Sequence, residues 1–548
     1  MSQIFILLFF YFLVLYSILG YGRIFTLINP NYQASSFDGL LGLVILILIS
    51  YSSNFFFPHN YTHNSLIIIF GILIFLYDFK VHFKKRVLEF KILTLIFFII
   101  FIGLLIYKNH DDFYYYHFPY TLILTNFEKV FGMGNLNHGF KTPSSIFYLN
   151  SLFYLPGVKY FLMNAGAAYI LGFSNYILFK NIRSLISEKK LNHILFLSLL
   201  SLIYINSSFA RIAEHGTDRS ALILIFLMSI FYLKSLDFPQ KKYMSIHISN
   251  YYSKLAIIFT LIVTLKVFYL IYSLVFILWF FQIRKYLSFK KISFLIFKNY
   301  YSYLFLISFV FCIFTILSNT GCLIYPASFT CFENLSWSIP LAQVDQMHLW
   351  YEQWSKGGAG PNFRVENPEL YVEQFNWVKN WLNVYFFNKV SDNILLIIFI
   401  SFFIYLFFSH KTIKKNHYKN DKNYKFFYVL ILILFMEWFY NHPSLRYGGY
   451  TLLALLFFIP VSIYLDKFNY NFKSFNKKIY LTFFLIILVF VSRNISRINK
   501  EFNQYSYNPL TKAFFYLNKD GFIINDKVKE KYRSWKKKNK SYLIIKKK

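Results

Sequence analysis

The chain alternates between long apolar stretches and short polar segments. A helix needs about 20 mostly apolar residues to cross a hydrocarbon core of ~30 Å, and many of the stretches reach or approach that length. They lie near 4–20, 38–57, 64–79, 91–107, 160–180, 192–208, 220–234, 254–282, 302–318, 391–409, 426–440, 449–465 and 480–493. The pattern predicts an all-α fold, a polytopic transmembrane helical bundle of about 13 to 14 passes. No basic segment precedes the first stretch, so we expect a retained helix there and not a cleaved signal peptide.

Lysine and arginine between the apolar stretches indicate which loops face the cytoplasm. They are Lys84, Lys85, Arg86 and Lys91; Lys180, Arg183, Lys189 and Lys190; Lys241 and Lys242; Arg284, Lys285, Lys290 and Lys291; Lys411, Lys414 and Lys415; and Lys473, Lys477 and Lys478. The passes alternate correctly only if 254–282 forms two short passes that turn near Lys266. The segments on the opposite, outer face are then 108–159, 209–219, 319–390 and 441–448.

These considerations divide the chain into a multi-pass domain, 1–493, and a polar, Lys-rich tail, 494–548. Alternation of the passes places the tail on the outer face, whereas its lysines favour the cytoplasm. The sequence leaves both faces of the membrane open for the tail.

Composition supports a membrane protein and argues against a soluble one. Of 548 residues, 57% are hydrophobic and 23% aromatic, and only 15% are charged. A soluble globular domain has about 25% charged residues. The net charge of +33 would suggest nucleic acid as a partner of a soluble protein. Here the basic residues flank apolar stretches, so we expect a lipid bilayer and no nucleic acid as the partner.

The three cysteines do not have the spacing of a zinc or iron–sulfur site. Cys322 and Cys331 share the segment 319–390, whereas Cys312 lies in an apolar stretch. If that segment faces an oxidising periplasm, Cys322 and Cys331 form a disulfide. The alternative is two unpaired small residues.

The first outer segment begins with two adjacent carboxylates, Asp111 and Asp112, between the imidazoles of His110 and His117. Such a pair at the end of a pass can hold a divalent cation or act as a general base. The alternative is a helix cap, because aspartate favours helix N-termini.

Two further polar clusters lie on the predicted outer face. Arg211, Glu214, Asp218 and Arg219 form the first, and they either pair with one another or line a functional cleft. The second contains Arg446 and Tyr447, followed by Gly448 and Gly449. The planar fork of Arg446 suits phosphate oxygens, although a snorkelling arginine at a turn explains it too.

Two other features of the outer face are candidates for substrate contact. Lys266 is a second cation for a lipid phosphate, or it merely marks the turn between two passes. The segment 319–390 is rich in tryptophan, with Trp337, Trp350, Trp354, Trp377 and Trp381. Tryptophans stack on sugar rings or anchor a helix at the membrane interface.

In order and placement, these elements resemble the GT-C superfamily of integral membrane glycosyltransferases, which take sugars from polyprenyl-phosphate carriers. The resemblance covers roughly residues 90–450. The chain is also similar to an uncharacterised family of bacterial polytopic proteins linked to surface polysaccharide assembly. This similarity lies in the local sequences around Asp112, Tyr116 and His117, from Gly321 to Pro326, and from Arg446 to Gly448. The chain differs from GT-C enzymes in that its acidic loop follows the fourth predicted pass and no sizeable soluble domain follows the last.

The resemblance implies glycosyl transfer from a polyprenyl-phosphate-linked sugar to a glycan or lipid acceptor, at the periplasmic face of a bacterial inner membrane. It implies Asp111 or Asp112 as the base, or as metal ligands should the reaction need Mg²⁺ or Mn²⁺. Asp218 is a further catalytic candidate. The substrate-binding candidates are His117, Arg211, Glu214, Lys266, Arg446 and Tyr447.

Two other functions stay open. An O-antigen polymerase or ligase also has many passes, a large outer loop and outer arginines. A polysaccharide or lipid transporter, such as a flippase, is the alternative that is not an enzyme. Transport predicts ionisable residues near the membrane midplane and often repeated halves, whereas the charges here cluster at one predicted surface.

Overall fold

A computed structural model describes residues 2–25, 36–108, 110–237, 243–360, 363–409, 421–514, 520–536 and 542–546. The basic positions Lys241, Lys242, Lys411, Lys414 and Lys415 lie outside the described residues. Within these ranges the chain forms helices and three isolated bridges, and it forms no strand. The prediction of an all-α, polytopic helical bundle is therefore confirmed.

Nine helices of the described ranges are long and apolar enough to cross a membrane. They are Gln3–Gly22, Tyr61–Val81, Phe83–Leu104, Met244–Leu265, Tyr300–Thr320, Val378–Phe408, Tyr424–Asn441, Gly449–Asp466 and Phe472–Tyr505. Shorter apolar helices are Asp38–Ser53, His193–Ser208 and Val267–Ile283. The helices Gly166–Ser187 and Asp218–Ser235 are buried within the same bundle. This arrangement is that of a multi-pass membrane protein.

The bundle is held together by apolar packing and by close approach of helix backbones. Gly20 and Gly71 lie where the first helix meets Tyr61–Val81, and a Cβ atom on Gly20 would lie 1.8 Å from the Gly71 carbonyl oxygen. Small residues at helix interfaces permit such approach, since lipid provides little hydrophobic drive between helices.

The chain reverses at Lys266, as the sequence predicts. The helix Met244–Leu265 ends there, and the backbone of Lys266 is extended, with φ −158° and ψ 115°. A 3-10 helix, Val267–Ser273, and a short α-helix, Leu274–Ile283, follow. Trp279 lies beside Tyr252 in the preceding helix, with ring centroids 5.8 Å apart. The second pass therefore runs back along the first.

The segments 108–159, 209–219, 319–390 and 441–448 lie on one side of the bundle, which we call the loop face. The Asn135 amide donates to the Trp337 carbonyl over 2.9 Å, and the His110 backbone N–H donates to the Ala213 carbonyl over 3.1 Å. Short helices build this face, namely Phe118–Asn126, Ser145–Ser151, Leu341–Lys356 and Pro368–Val372. Cys322 and Cys331 form the predicted disulfide, and Cys312 is a buried free thiol.

The described part of the tail also lies on the loop face. The helix Phe472–Tyr505 continues past residue 493, and a further helix, Asp520–Lys536, follows it. The Phe131 backbone exchanges hydrogen bonds with Leu543 and Ile545, each over 2.9 Å. The tail therefore takes the side that alternation of the passes predicts.

Candidate functional site

Four charged side chains from distant parts of the sequence meet on the loop face. Asp112 precedes a π-helix, Phe113–His117. Asp218 is the first residue of the helix Asp218–Ser235, Lys266 occupies the break described above, and Arg446 lies in a 3-10 turn, Leu445–Tyr447. We call Asp112, Asp218, Lys266 and Arg446 the four-charge cluster.

Asp218 forms the centre of the cluster. The Lys266 ammonium donates to its Oδ1 over 2.5 Å, and Arg446 Nε donates to its Oδ2 over 3.0 Å. Asp218 is buried. Its place at a helix N-terminus adds the favourable dipole of the first turn. Because each carboxylate oxygen accepts from a cation, Asp218 orients Lys266 and Arg446.

Asp112 is the more accessible carboxylate, with 28% of its side chain exposed. Arg446 Nη2 donates to its Oδ2 over 3.3 Å. Burial acts to raise the pKa of Asp112, but the Arg446 guanidinium, with lesser contributions from the His110 and His117 rings, holds that pKa below its ordinary value. Asp112 is therefore ionised at neutral pH.

His110 lies against Asp112 as a neutral ring. Its Nδ1 accepts the backbone N–H of Asp112 over 3.0 Å, which places the ring proton on Nε2. Burial, as the largest cause, lowers the pKa of His110 below its ordinary value. A neutral His110 fixes the backbone of the acidic turn and does not compete with Arg446 for Oδ2.

Aromatic rings hold the two cations in place. Lys266 Nζ lies 4.2 Å from the centroid of the Tyr447 ring. The Arg446 guanidinium carbon lies 5.5 Å from the Trp354 ring and 5.7 Å from that of Tyr447. The Tyr269 hydroxyl donates to the Arg446 carbonyl over 3.0 Å. Cation–π contacts orient both cations without neutralising them.

The turn that carries Arg446 is anchored by buried aromatic side chains. The Trp438 indole donates to the Ser444 carbonyl over 2.8 Å, and the Leu445 backbone N–H donates to the Tyr385 hydroxyl over 2.9 Å. Gly448 has a φ of +131°, which suits glycine and few other residues. The chain can therefore turn directly after Tyr447.

The structure brings together Asp112, Asp218, Lys266, Arg446 and Tyr447 among the residues predicted for the site. His117 is buried next to them, with its ring centroid 6.1 Å from that of His110. Within the described chain its Nε2 has no hydrogen-bond partner. A Cβ atom on Gly216 would lie 3.3 Å from the His117 ring, so the second outer segment covers it.

Three predicted residues lie outside this cluster. Asp111 is exposed. Arg211 and Glu214 belong to a second group of charges, in which Glu214 contacts Arg497 at 2.8 Å, Arg219 at 3.5 Å and Arg211 at 3.6 Å. Arg211 and Arg219 therefore pair with Glu214 of the same cluster, as one of the two interpretations predicts. Asp218 pairs instead with Lys266 and Arg446.

Asp111 and Asp112, the two carboxylates predicted as metal ligands, have different surroundings. Asp112 is directed at Arg446, and Asp111 is exposed beside it. In the parts of the chain that the structure describes, no group of three or more His, Cys, Asp or Glu residues is arranged to hold a metal ion. Mg²⁺ also binds through one or two carboxylates together with water and substrate phosphates, so the metal site stays a prediction.

Sequence reasoning missed the contribution of the last long helix and the contacts of Trp354 and Tyr269 with Arg446. Arg497 reaches the second outer segment, and Glu501 accepts the Tyr107 backbone N–H over 2.7 Å. The spacing of Arg493, Arg497 and Glu501, four residues apart at the end of an apolar stretch, is the signal that could have identified them. Pattern alone could not have found Trp354 or Tyr269 as partners of Arg446.

No curated protein and no solved structure matches the chain. A family model described as a domain of unknown function, DUF8201, matches residues 3–453. The matched range is most of the 548 residues and contains the whole four-charge cluster. The chain therefore belongs to this family, the domain of unknown function DUF8201.

Proposed function

We propose that this protein is an integral membrane glycosyltransferase that uses a polyprenyl-phosphate-linked sugar donor in surface glycan or lipopolysaccharide biosynthesis. The observation that carries the proposal is the meeting of Asp112, Lys266 and Arg446 at helix ends around the buried Asp218. A base and two oriented cations at a bilayer surface are what transfer from a lipid phosphate requires.

The cations provide the site for the departing lipid phosphate. Arg446 uses Nε and Nη2 in its hydrogen bonds to Asp218 and Asp112, and no hydrogen bond between described residues uses its Nη1. The side chains of Arg446 and Lys266 are 30% and 21% exposed. Both groups therefore combine a fixed orientation with access to a ligand, and they stabilise negative charge as it develops on the phosphate.

Asp112 provides the base. Its described side-chain hydrogen bond, from Arg446, uses Oδ2, and the His110 ring lies 3.5 Å from the same oxygen, so that Oδ1 is left for an acceptor hydroxyl. In the proposed step, Oδ1 takes the hydroxyl proton while the acceptor oxygen bonds to the anomeric carbon. The bond from that carbon to the phosphate oxygen breaks, and the electron pair leaves with the lipid phosphate. Asp218, buried between two cations, positions them and does not act as the base.

The proposed setting is a bacterial inner membrane, with the loop face in the periplasm. The lysine and arginine clusters between the passes favour the cytoplasm for the opposite face. The Cys322–Cys331 disulfide of the loop face suits an oxidising compartment. The donor is then a periplasm-facing polyprenyl-phosphate sugar, and the acceptor is a glycan or a lipid.

Mass spectrometry of surface glycans and lipid-linked oligosaccharides tests the proposal. The measurement uses a deletion strain that expresses the wild type, Asp112→Asn or Asp345→Asn at matched membrane levels. Asp345 is an exposed carboxylate in the loop-face helix Leu341–Lys356, so its variant is the matched control. We expect Asp112→Asn to lack one defined sugar and to accumulate the lipid-linked donor.

Other profiles would reject this reaction. Single repeat units in place of long chains would indicate a polymerase, and a complete glycan confined to the cytoplasmic leaflet would indicate a transporter. A normal profile in Asp112→Asn would remove the proposed base.

A further inference from the structure

A second feature of the loop face is a cavity of about 650 Å³ between the segment 209–219 and the last long helix. We call it the basic cavity. Its charged lining consists of five basic and two acidic residues: Lys108, Arg211, Arg493, Arg497 and Lys500, with Glu214 and Glu501. The volume is that of a typical small-molecule site, and the lining has an excess of positive charge.

The two glutamates are already engaged by the protein. Arg497 contacts Glu214 at 2.8 Å and Glu501 at 3.2 Å. Lys108, Arg493 and Lys500 have no carboxylate within ion-pair distance among the residues described. Arg493 donates to the Ser207 carbonyl, which leaves its charge uncompensated. Several uncompensated cations around one cavity repel one another, so an anion stabilises the arrangement.

An exposed apolar surface leads to the cavity from the membrane-spanning part of the last long helix. Phe484, Leu488 and Val489 belong to the same helix as Arg493, and their side chains are 59%, 48% and 38% exposed. Leu488 and Val489 lie one helical turn before the lining residues Ser492 and Arg493. An alkyl chain in the bilayer can lie along this surface while its head group enters the cavity.

We propose that the basic cavity binds the phosphate head group of a membrane lipid, with the lipid chain lying along Phe484 and Leu488. Arginine and lysine are the side chains that recognise phosphate oxygens by charge-assisted hydrogen bonds. The phosphate belongs either to an anionic phospholipid or to a polyprenyl carrier. Binding as such does not depend on the transferase reaction.

The cavity borders the segment that leads to Asp111 and Asp112. Lys108 lines it and precedes Asp112 by four positions in the sequence. The His110 backbone N–H donates to Ala213, which lies between Arg211 and Glu214. A lipid held here therefore lies beside the segment that leads to Asp112. Under the proposed function, a polyprenyl lipid in this position is the lipid-linked acceptor.

Native mass spectrometry of the full-length protein in detergent tests the inference. The probes are dioleoylphosphatidylglycerol, undecaprenyl phosphate, zwitterionic dioleoylphosphatidylcholine and inorganic phosphate. We expect the two anionic lipids to bind, and the tighter of them identifies the source of the phosphate. In Arg211→Gln/Arg493→Gln their affinity falls by about tenfold or more, as expected for the loss of charge-assisted hydrogen bonds.

Two further variants keep the inference testable. Lys108→Gln/Lys500→Gln removes exposed cations of the lining and weakens binding even if the arginine variant does not fold. Lys159→Gln/Lys379→Gln removes two exposed charges elsewhere on the loop face and leaves affinity unchanged. Equal binding of phosphatidylcholine, displacement by inorganic phosphate at equal concentration, or equal losses in the control would overturn the inference. Since the readout is binding, an inactive transferase would not affect the result.

Discussion

Two neighbouring aspartates have different chemical environments in this protein. Asp112 contacts Arg446 and His110, whereas Asp111 is exposed to solvent. The sequence predicts an acidic pair, but it cannot distinguish the two residues, because the partner of Asp112 is 334 positions away. Only the fold makes one of them a candidate base.

Single substitutions of the two aspartates test this distinction. Loss of a general base typically costs 10²–10⁴-fold in rate, so we expect Asp112→Asn to slow sugar transfer by about 10²-fold or more. Asp111→Asn changes the rate by less than about threefold, since within the described structure its side chain is outside the cluster. Transfer rates in membranes with matched protein levels provide the measurement. Equal losses in both variants would assign the pair a joint role.

The pH dependence of transfer tests the influence of Arg446 on Asp112. In the wild type the pKa of Asp112 lies below its ordinary value, so the rate stays constant across neutral pH and falls only in acid. Arg446→Gln removes the main cation beside Asp112, and burial then raises the pKa of Asp112. The acid limb should move to higher pH, while the rate at neutral pH drops by about 10²–10³-fold from lost phosphate stabilisation. An unchanged acid limb would show that Asp112 is not the titrating base.

At the scale of elements, helix ends carry most of the polar chemistry. On the face opposite the loops, Arg23 follows the first helix and lies between three carboxylates of three other helices. Its guanidinium is 3.8 Å from Asp38, 3.3 Å from Asp78 and 3.4 Å from Glu89. Its side chain is 2% exposed. Buried charges persist only when they are paired, so this network depends on Arg23.

Arg23→Gln is expected to destabilise the bundle without a direct effect on the four-charge cluster. Removing one partner of a buried ion pair typically costs 3–5 kcal/mol, because the remaining charges lose their compensation. Thermal unfolding in detergent should show a lower midpoint than the wild type. Lys91→Gln, a change at an exposed basic residue of the neighbouring helix, serves as the control. A midpoint equal to the wild type would show that the stability of the bundle does not depend on Arg23.

Most elements of the fold could be predicted from the sequence, and most contacts of the site could not. Apolar length predicts the passes, and charge alternation predicts the break at Lys266 and the four loop-face segments. The side of the tail stayed open, because its own lysines favour the cytoplasm. The partner of each charge depends on helix packing across hundreds of residues. Arg211 and Glu214 illustrate the limit, since the residue that engages Glu214 most closely, Arg497, lies beyond the predicted last pass.

At the scale of the whole molecule, the tail covers part of the first outer segment, 108–159. Phe522 of the tail helix packs against Phe118 and Tyr160, with ring centroids 5.4 Å and 5.6 Å away. Tyr532 packs against Phe127 at 5.1 Å. These contacts support the segment that follows Asp112. The tail is therefore part of the loop face and not an appended linker.

Deletion of residues 507–548 should loosen the acidic segment while the passes stay folded. The deletion exposes Phe118 and Phe127, and it removes the backbone hydrogen bonds of Phe131 with the tail. We expect faster hydrogen exchange in 113–135 and slower sugar transfer, with unchanged exchange in the buried helix Asp218–Ser235. A Phe522→Ala/Tyr532→Ala variant retains the chain length and should show the same local effect at smaller size. If exchange in 113–135 stays protected after deletion, the first outer segment holds its own conformation, and the tail then acts at this face only through its charge.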